Sequence, residues 1–337
     1  MHYTNNIETN KNNRIDYIDI LKGFAILWIV WYHQPHPAIV DHYFHVPLFF
    51  FISGIFFKHK NPKAFFKSLV FKIIIPFLFF YIISYGFQIA RFLFENATIK
   101  GFEWTCILDV FKIESYIDHI TINRPLWFLI SLTVIQLLYY FIGKLPKLII
   151  ITLCTIIIFL KEPICATRSP FMINQSIFWL LYYALGDTVG KIIISNKKDN
   201  KHFFAPLIIC ICTFIFLSLL LPHIENTLIF NIAYEICVIS FVILSVILFS
   251  FLRGRSHIAK VLKFYGQNSL IVLSLHLLVS ILYGGIFFRI IGITGNNYIG
   301  FVIFILTAIT LYPIIILLNE HLPYCVGKYI TQKYKLL

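Results

Sequence analysis

The sequence predicts an all-α integral membrane protein with about ten transmembrane helices and both termini in the cytoplasm. Three observations predict it. The first is composition: 59% of the 337 residues are hydrophobic and only 13% are charged, and the mean hydropathy is +0.83. That is more apolar surface than a soluble domain of this length needs. The second is that the apolar residues fall into ten stretches bounded by polar or Pro/Gly-rich residues. The third is charge asymmetry. With the N-terminus inside, twenty of the twenty-eight Lys and Arg lie in inner segments and seven in outer ones, the bias expected of cytoplasmic loops.

The stretches are residues 15–33, 44–57, 69–91, 125–142, 147–160, 176–194, 203–222, 228–252, 269–290 and 298–318. The second and fifth are short, which implies tilt, burial among other helices or local thinning of the bilayer. The first fourteen residues are polar and no small-residue cleavage site follows the first span, so that span is expected to stay as an anchor. Residues 1–14 and 319–337 then form cytoplasmic tails. The net charge of +13 is explained by anionic membrane lipids at the inner leaflet and needs no nucleic-acid partner. The seven cysteines are scattered with no CxxC pair, so neither a disulfide framework nor a metal site is indicated.

The first span carries the costliest residues. Lys22 and His33 are eleven positions apart. At about 100° per residue they share a helix face, roughly 16 Å apart along the axis. Asp19 lies on the same stripe one turn earlier. Ionisable groups inside a span are functional candidates by default, although a lysine near a helix end can also snorkel to the interface. His33 is followed by His36, Asp41, His42 and His45. Pro35 and Pro37 break the helix between them, and no metal is expected. A neutral histidine is the side chain best suited to take and return a proton near neutral pH, and His33 is tied to Lys22 by continuous helix.

The second span holds Phe50-Phe51-Ile52-Ser53-Gly54. Ser53-Gly54 suits close helix approach better than a nucleophile, for it lacks a Gly-x-Ser-x-Gly setting. At the start of the third span stand Lys58, Lys60, Lys63, Lys67 and Lys72, ending in Pro76. Such ammonium groups bind phosphorylated cofactors or lipid headgroups equally well. The outer segment 92–124 carries Glu95, Glu103, Asp109, Glu114 and Asp118 and is long enough to cover the outer mouth. The fourth span opens on Arg124-Pro125-Leu126-Trp127-Phe128-Leu129, where a guanidinium beside an aromatic forms either an interfacial anchor or a sugar- or carboxylate-binding pair. The ninth opens on Gly266-Gln267-Asn268-Ser269-Leu270 and contains His276. Asn268 or Ser269 is expected to cap it.

In this order the motifs resemble acyltransferase family 3, membrane-bound acyltransferases of bacteria that modify surface and other glycans. The family opens with Leu-Asp-x-Leu-Arg-Gly-x-Ala and a histidine further on. Here these are Ile18 to Ala25, with Lys22 in place of the commoner Arg, and His33. Phe50 to Gly54, the basic run from Lys67 to Pro76, Leu126 to Leu129, and Gly266 to His276 are similar to later family segments. The resemblance implies a single transmembrane acyltransferase domain over residues 1–337 without an appended soluble domain. It also implies a cytoplasmic acyl-CoA donor, usually acetyl-CoA, a glycan or lipid-linked sugar hydroxyl as acceptor, and the bacterial inner membrane as location. Lys22, Lys67 and Lys72 are then the residues expected to hold the CoA phosphates. His33, with Lys22 and Asp19, is expected to carry the chemistry as general base or acyl relay. Arg124, Trp127, His36, Asp41, His45, Ser53 and His276 are expected on the acceptor. The main alternative is a polytopic transporter or flippase of a glycan or small solute, against which stands the absence of a visible repeat. A glycan polymerase ranks last, because the 92–124 segment is modest for one.

Overall fold

The computed structural model describes residues 15–41, 44–112, 122–160, 164, 169–195, 204–252 and 256–328, and they contain no β-strand. The helices are α1 (Asp16–Tyr32), α2 (His45–Ile55), α3 (Pro62–Leu69), α4 (Ile75–Asn96), α5 (Trp127–Ile142), α6 (Lys147–Phe159) and α7 (Ile173–Leu185). They continue with α8 (Lys191–Ser195), α9 (Phe204–Leu220), α10 (Thr227–Ser250), α11 (His257–Gln267), α12 (Ser269–Gly284) and α13 (Asn297–His321). A helix lies on each of the ten predicted stretches. Seven of the described segments are long and apolar enough to cross a membrane: 62–96, 124–142, 170–195, 205–223, 227–250, 269–290 and 297–321. The protein is a multi-pass membrane protein. Helices α1, α2 and α6 are shorter, with 17, 11 and 13 residues.

Several boundaries differ from the sequence reading. The third stretch is the end of a longer helical run, because α3 passes through a π turn (Val70–Ile74) into α4 without a break. Asn61 caps α3 through a hydrogen bond accepted from the Ala64 amide, and Pro62 follows at the first helical position, where a missing N–H costs nothing. Helix α11 lies where the charge pattern predicts an inner segment between spans. Ser256 caps it, and Ala259, Tyr265 and Gly266 are buried. The segment after α4 contains a 3-10 run, Trp104–Lys112; Glu114 and Asp118 lie outside the described residues. So do residues 1–14 and 329–337 of the expected tails. The last helix runs to His321, so the tail starts later than 319.

Two interfaces are built on glycine. A Cβ on Gly23 of α1 would meet the Leu262 carbonyl oxygen at 1.8 Å, and one on Gly266 would meet the Asp19 oxygen at 1.7 Å. Helices α1 and α11 therefore touch backbone to backbone. The ion pair Lys263–Asp16 at 2.7 Å and the bond from Gln267 Nε2 to Asp19 Oδ2 at 3.1 Å close the same seam. The second interface joins α2 to the end of α7. A Cβ on Gly54 would stand 2.0 Å from the Tyr183 oxygen, and one on Gly186 would stand 1.9 Å from the Phe51 oxygen.

Beside that second interface, Asp187 sits in a π turn (Gly186–Gly190) with its carboxylate buried. Lys147 Nζ donates to its Oδ2 at 2.5 Å and Tyr139 at 2.7 Å, and Lys191 pairs with its Oδ1. Lys191 also donates to the Phe57 carbonyl at the end of α2. The cluster ties α2, α5, α6 and α8 together. Asp187→Ala removes the shared acceptor and leaves two ammonium groups facing each other. We expect a loss of about 2 kcal/mol, below the usual figure for breaking a buried pair because both lysines keep a solvated side. Thermal unfolding in detergent checks this, and Asp187→Asn is expected to retain part of the stability through Tyr139.

Candidate functional site

A large cavity of about 930 Å³ runs inside the helix bundle, within the range of small-molecule sites. At one end its wall carries ammonium groups: Lys22 from α1, Lys58 and Lys60 from the turn after α2, and Lys72 from the π turn before α4. Toward the other end lie His33, His45, Pro125 and Trp127. Lys22 and His33 thus line one cavity, as their shared helix face predicted, from well-separated positions along α1.

The histidines converge more than the intervening prolines suggested. Helix α1 ends at Tyr32. The chain then turns so that the Tyr32 ring lies 5.4, 5.2 and 5.7 Å, centroid to centroid, from His33, His36 and His45. The turn is held from behind by α13, where a Cβ on Gly300 would meet the Pro35 oxygen at 1.8 Å. His36 Nδ1 lies 2.5 Å from the Gln34 carbonyl oxygen. His33 is exposed to the cavity, and His45 is almost fully buried. Across from His33 stands His276, completely buried, with the two ring centroids 5.1 Å apart. Among the described residues no group of three or more His, Cys, Asp or Glu is placed to hold a metal ion.

The other predicted positions divide. Ser53 lines the cavity while its hydroxyl donates to the Phe49 carbonyl at 2.8 Å. Trp127 lines it too, with its ring 6.2 Å from that of Trp179. Arg124 is exposed at the 3-10 turn that precedes α5. Lys67 is exposed on α3 beside Lys63 and does not line the cavity. Asp19 is buried against Gln267 and does not line it either. Asp41 ends the 3-10 turn Ala38–Asp41, and its side chain lies outside the described residues, as does His42. Asn268 is the residue before α12 but makes no side-chain cap there. Its Oδ1 instead accepts from Asn319 at 2.9 Å and from Lys328 at 2.7 Å, which draws the chain after α13 against the start of α12.

The structure adds residues that the sequence reading passed over. Glu235, on the long apolar helix α10, is buried and lines the cavity, and the Tyr182 hydroxyl donates to it. Gln175, Trp179 and Tyr234 stand on the same wall. Of the basic run already named in the sequence, Lys58 and Lys60 also reach the cavity, beside Lys22 and Lys72 at the cationic end. The signal for Glu235 was present: a carboxylate within an apolar span is expensive, and the rule that singled out Lys22 applies equally at 235.

The arrangement joins a cationic mouth suited to phosphates, an apolar and aromatic middle, and a histidine cluster that can move a proton. A family model for the family 3 acyltransferase domain matches residues 15–318, which spans every element that lines the cavity. Neither the curated proteins nor the solved structures contain a match.

Proposed function

The chain belongs to acyltransferase family 3, and from that premise we propose that this membrane acyltransferase moves an acyl group, acetyl by default, from acyl-CoA to a hydroxyl of a glycan or lipid-linked sugar. Ten crossings with both termini in the cytoplasm, in a bacterial inner membrane, are the topology that fits the basic-residue bias. The observation that carries the reading is one cavity bordered by Lys22, Lys58, Lys60 and Lys72 at one end and by His33, His45 and Trp127 toward the other. A CoA ester entering at the lysine end places its phosphates among ammonium groups and its acyl group deeper among apolar side chains. The acceptor approaches from the histidine end, where Trp127, Trp179 and Glu235 offer the ring face and carboxylate that sugars use.

In this reading His33 takes the proton of the acceptor hydroxyl as its oxygen attacks the thioester carbonyl. The C–S bond then breaks, the acyl C–O bond is made, and the CoA thiolate leaves with the proton returned by His33. Lys22 and Lys72 hold the donor. A relay through an acyl-histidine would use the same residue in two steps.

The test uses membranes that carry the protein and its native acceptor, supplied with labelled acetyl-CoA, with label followed into the glycan fraction. The cationic end is tested by Lys22→Ala and Lys72→Ala. Each is expected to raise the KM for acetyl-CoA about 10-fold, or ~1.4 kcal/mol, with kcat little changed. An unchanged KM in both variants would remove the phosphate role. No label transfer, with no thermal stabilisation by CoA, would favour a transporter.

A further inference from the structure

His276 is enclosed by α12 and its neighbours and exposes no surface. Its Nδ1 lies 2.9 Å from the carbonyl oxygen of Val272, one turn earlier. A carbonyl can only accept, so Nδ1 carries the ring proton and Nε2 is left as a bare lone pair. That Nε2 is buried and has no hydrogen-bond partner. A buried acceptor without a donor is costly and calls for an explanation. The neighbouring imidazole is that of His33, whose ring centroid lies 5.1 Å away with the planes 38° apart. An N–H···N bond of about 3 Å between two imidazoles puts their centroids about 5 Å apart, so the observed separation of the two rings is the one such a bond requires.

Resting on the reading of His33 as the base, we propose that His276 is its positioning residue: Nε2 of His276 accepts the N–H of His33 and holds the unprotonated nitrogen of His33 toward the cavity. The logic is that of any oriented base, where a second group selects the tautomer. Here the second group is neutral, and its own tautomer is set by helix geometry, because Val272 lies one turn before it. His33 faces the cavity and His276 stands behind it. Only His33 therefore meets the substrate, and His276 acts through it.

A structural role and a positioning role make opposite predictions for two substitutions. His276→Leu places an apolar side chain among Val272, Leu273, Leu275 and Val279, all buried. It removes an unpaired polar atom and suits the packing. His276→Gln keeps an acceptor near the Nε2 position. If His276 only packs, the Leu variant is at least as active as the Gln variant. If it positions His33, the Leu variant loses kcat about 10- to 100-fold, the Gln variant recovers much of it, and the KM for acetyl-CoA stays constant in both. Combined with His33→Ala, the Leu change is expected to add nothing further. The assay is label transfer from acetyl-CoA in membranes at matched protein level, with thermal stability in detergent as the check on folding. Full activity of His276→Leu in a protein that His33→Ala inactivates would overturn the positioning role alone. Full activity of His33→Ala would remove the premise beneath it.

Discussion

His33→Ala is expected to lower acyl transfer by about 10²–10⁴-fold, the usual contribution of a positioned acid–base group, while acyl-CoA still binds. The separation of the two ends of the cavity is the reason. His33 is exposed to the cavity beyond the C-terminus of α1, whereas the ammonium groups that would hold phosphate stand at the other end. The substitution removes the ring that can take the hydroxyl proton and touches none of the lysines. It also leaves the fold intact, because His33 supplies little buried surface and only its backbone amide, bonded to the Ile29 carbonyl, closes α1. Calorimetry with CoA and label transfer from acetyl-CoA measure the two properties separately. Near-normal transfer by the variant would remove His33 from the mechanism. A parallel loss of CoA binding would show that the two ends of the cavity are not independent.

Gly54→Leu is expected to be the most damaging single change to the fold, and Ser53→Ala beside it one of the mildest. Even a Cβ at 54 would stand 2.0 Å from the Tyr183 carbonyl oxygen. The obstacle is helix backbone, so α2 and α7 must move apart before a side chain fits. That separation also pulls on the partner contact of Gly186 against Phe51 and on the link from Lys191 to the end of α2. Overpacking a tight interface typically costs about 1–3 kcal/mol, and a full leucine against backbone belongs above that range. The variant is expected to melt early in detergent or fail to accumulate. The Ser53 hydroxyl is used by the Phe49 carbonyl of its own helix, so Ser53→Ala is expected to keep fold and most activity. Equal damage from the two changes would mean that this Ser-Gly pair does chemistry as well as packing.

This contrast bears on how the motifs are read. Three of the segments that resemble the family contain a glycine at a backbone contact: Gly23, Gly54 and Gly266. Much of the motif pattern therefore specifies how α1, α2, α7 and α11 meet. The polar residues beside two of those glycines, Lys22 and Ser53, are thereby set against the cavity. Asp19 shares the stripe of Lys22 in the linear pattern, yet it is taken up by Gln267 and α11. Helical spacing predicts which residues share a face but not which neighbour covers that face, and α11 covers the Asp19 end. The same reasoning explains Lys67 and Lys72. They look alike in sequence, but α3 turns Lys67 outward while the π turn leaves Lys72 on the cavity.

What the sequence determined by itself was the helical membrane class, the location of the apolar helices, the family pattern, and the Lys22–His33 face. Hydropathy and helical periodicity are local properties, and each was readable within a window of about 20 residues. The tertiary structure alone decided what meets across the bundle: His276 behind His33, Glu235 under the Tyr182 hydroxyl, Asp187 between Lys147 and Lys191, and α11 against α1. Those pairings join residues 40 to about 250 positions apart, except Asp187 with Lys191 four positions on, and a polar side chain in an apolar helix says only that a partner is needed. Which partner it finds depends on how the helices pack, and in this chain that packing turns on a few glycines that let backbones touch.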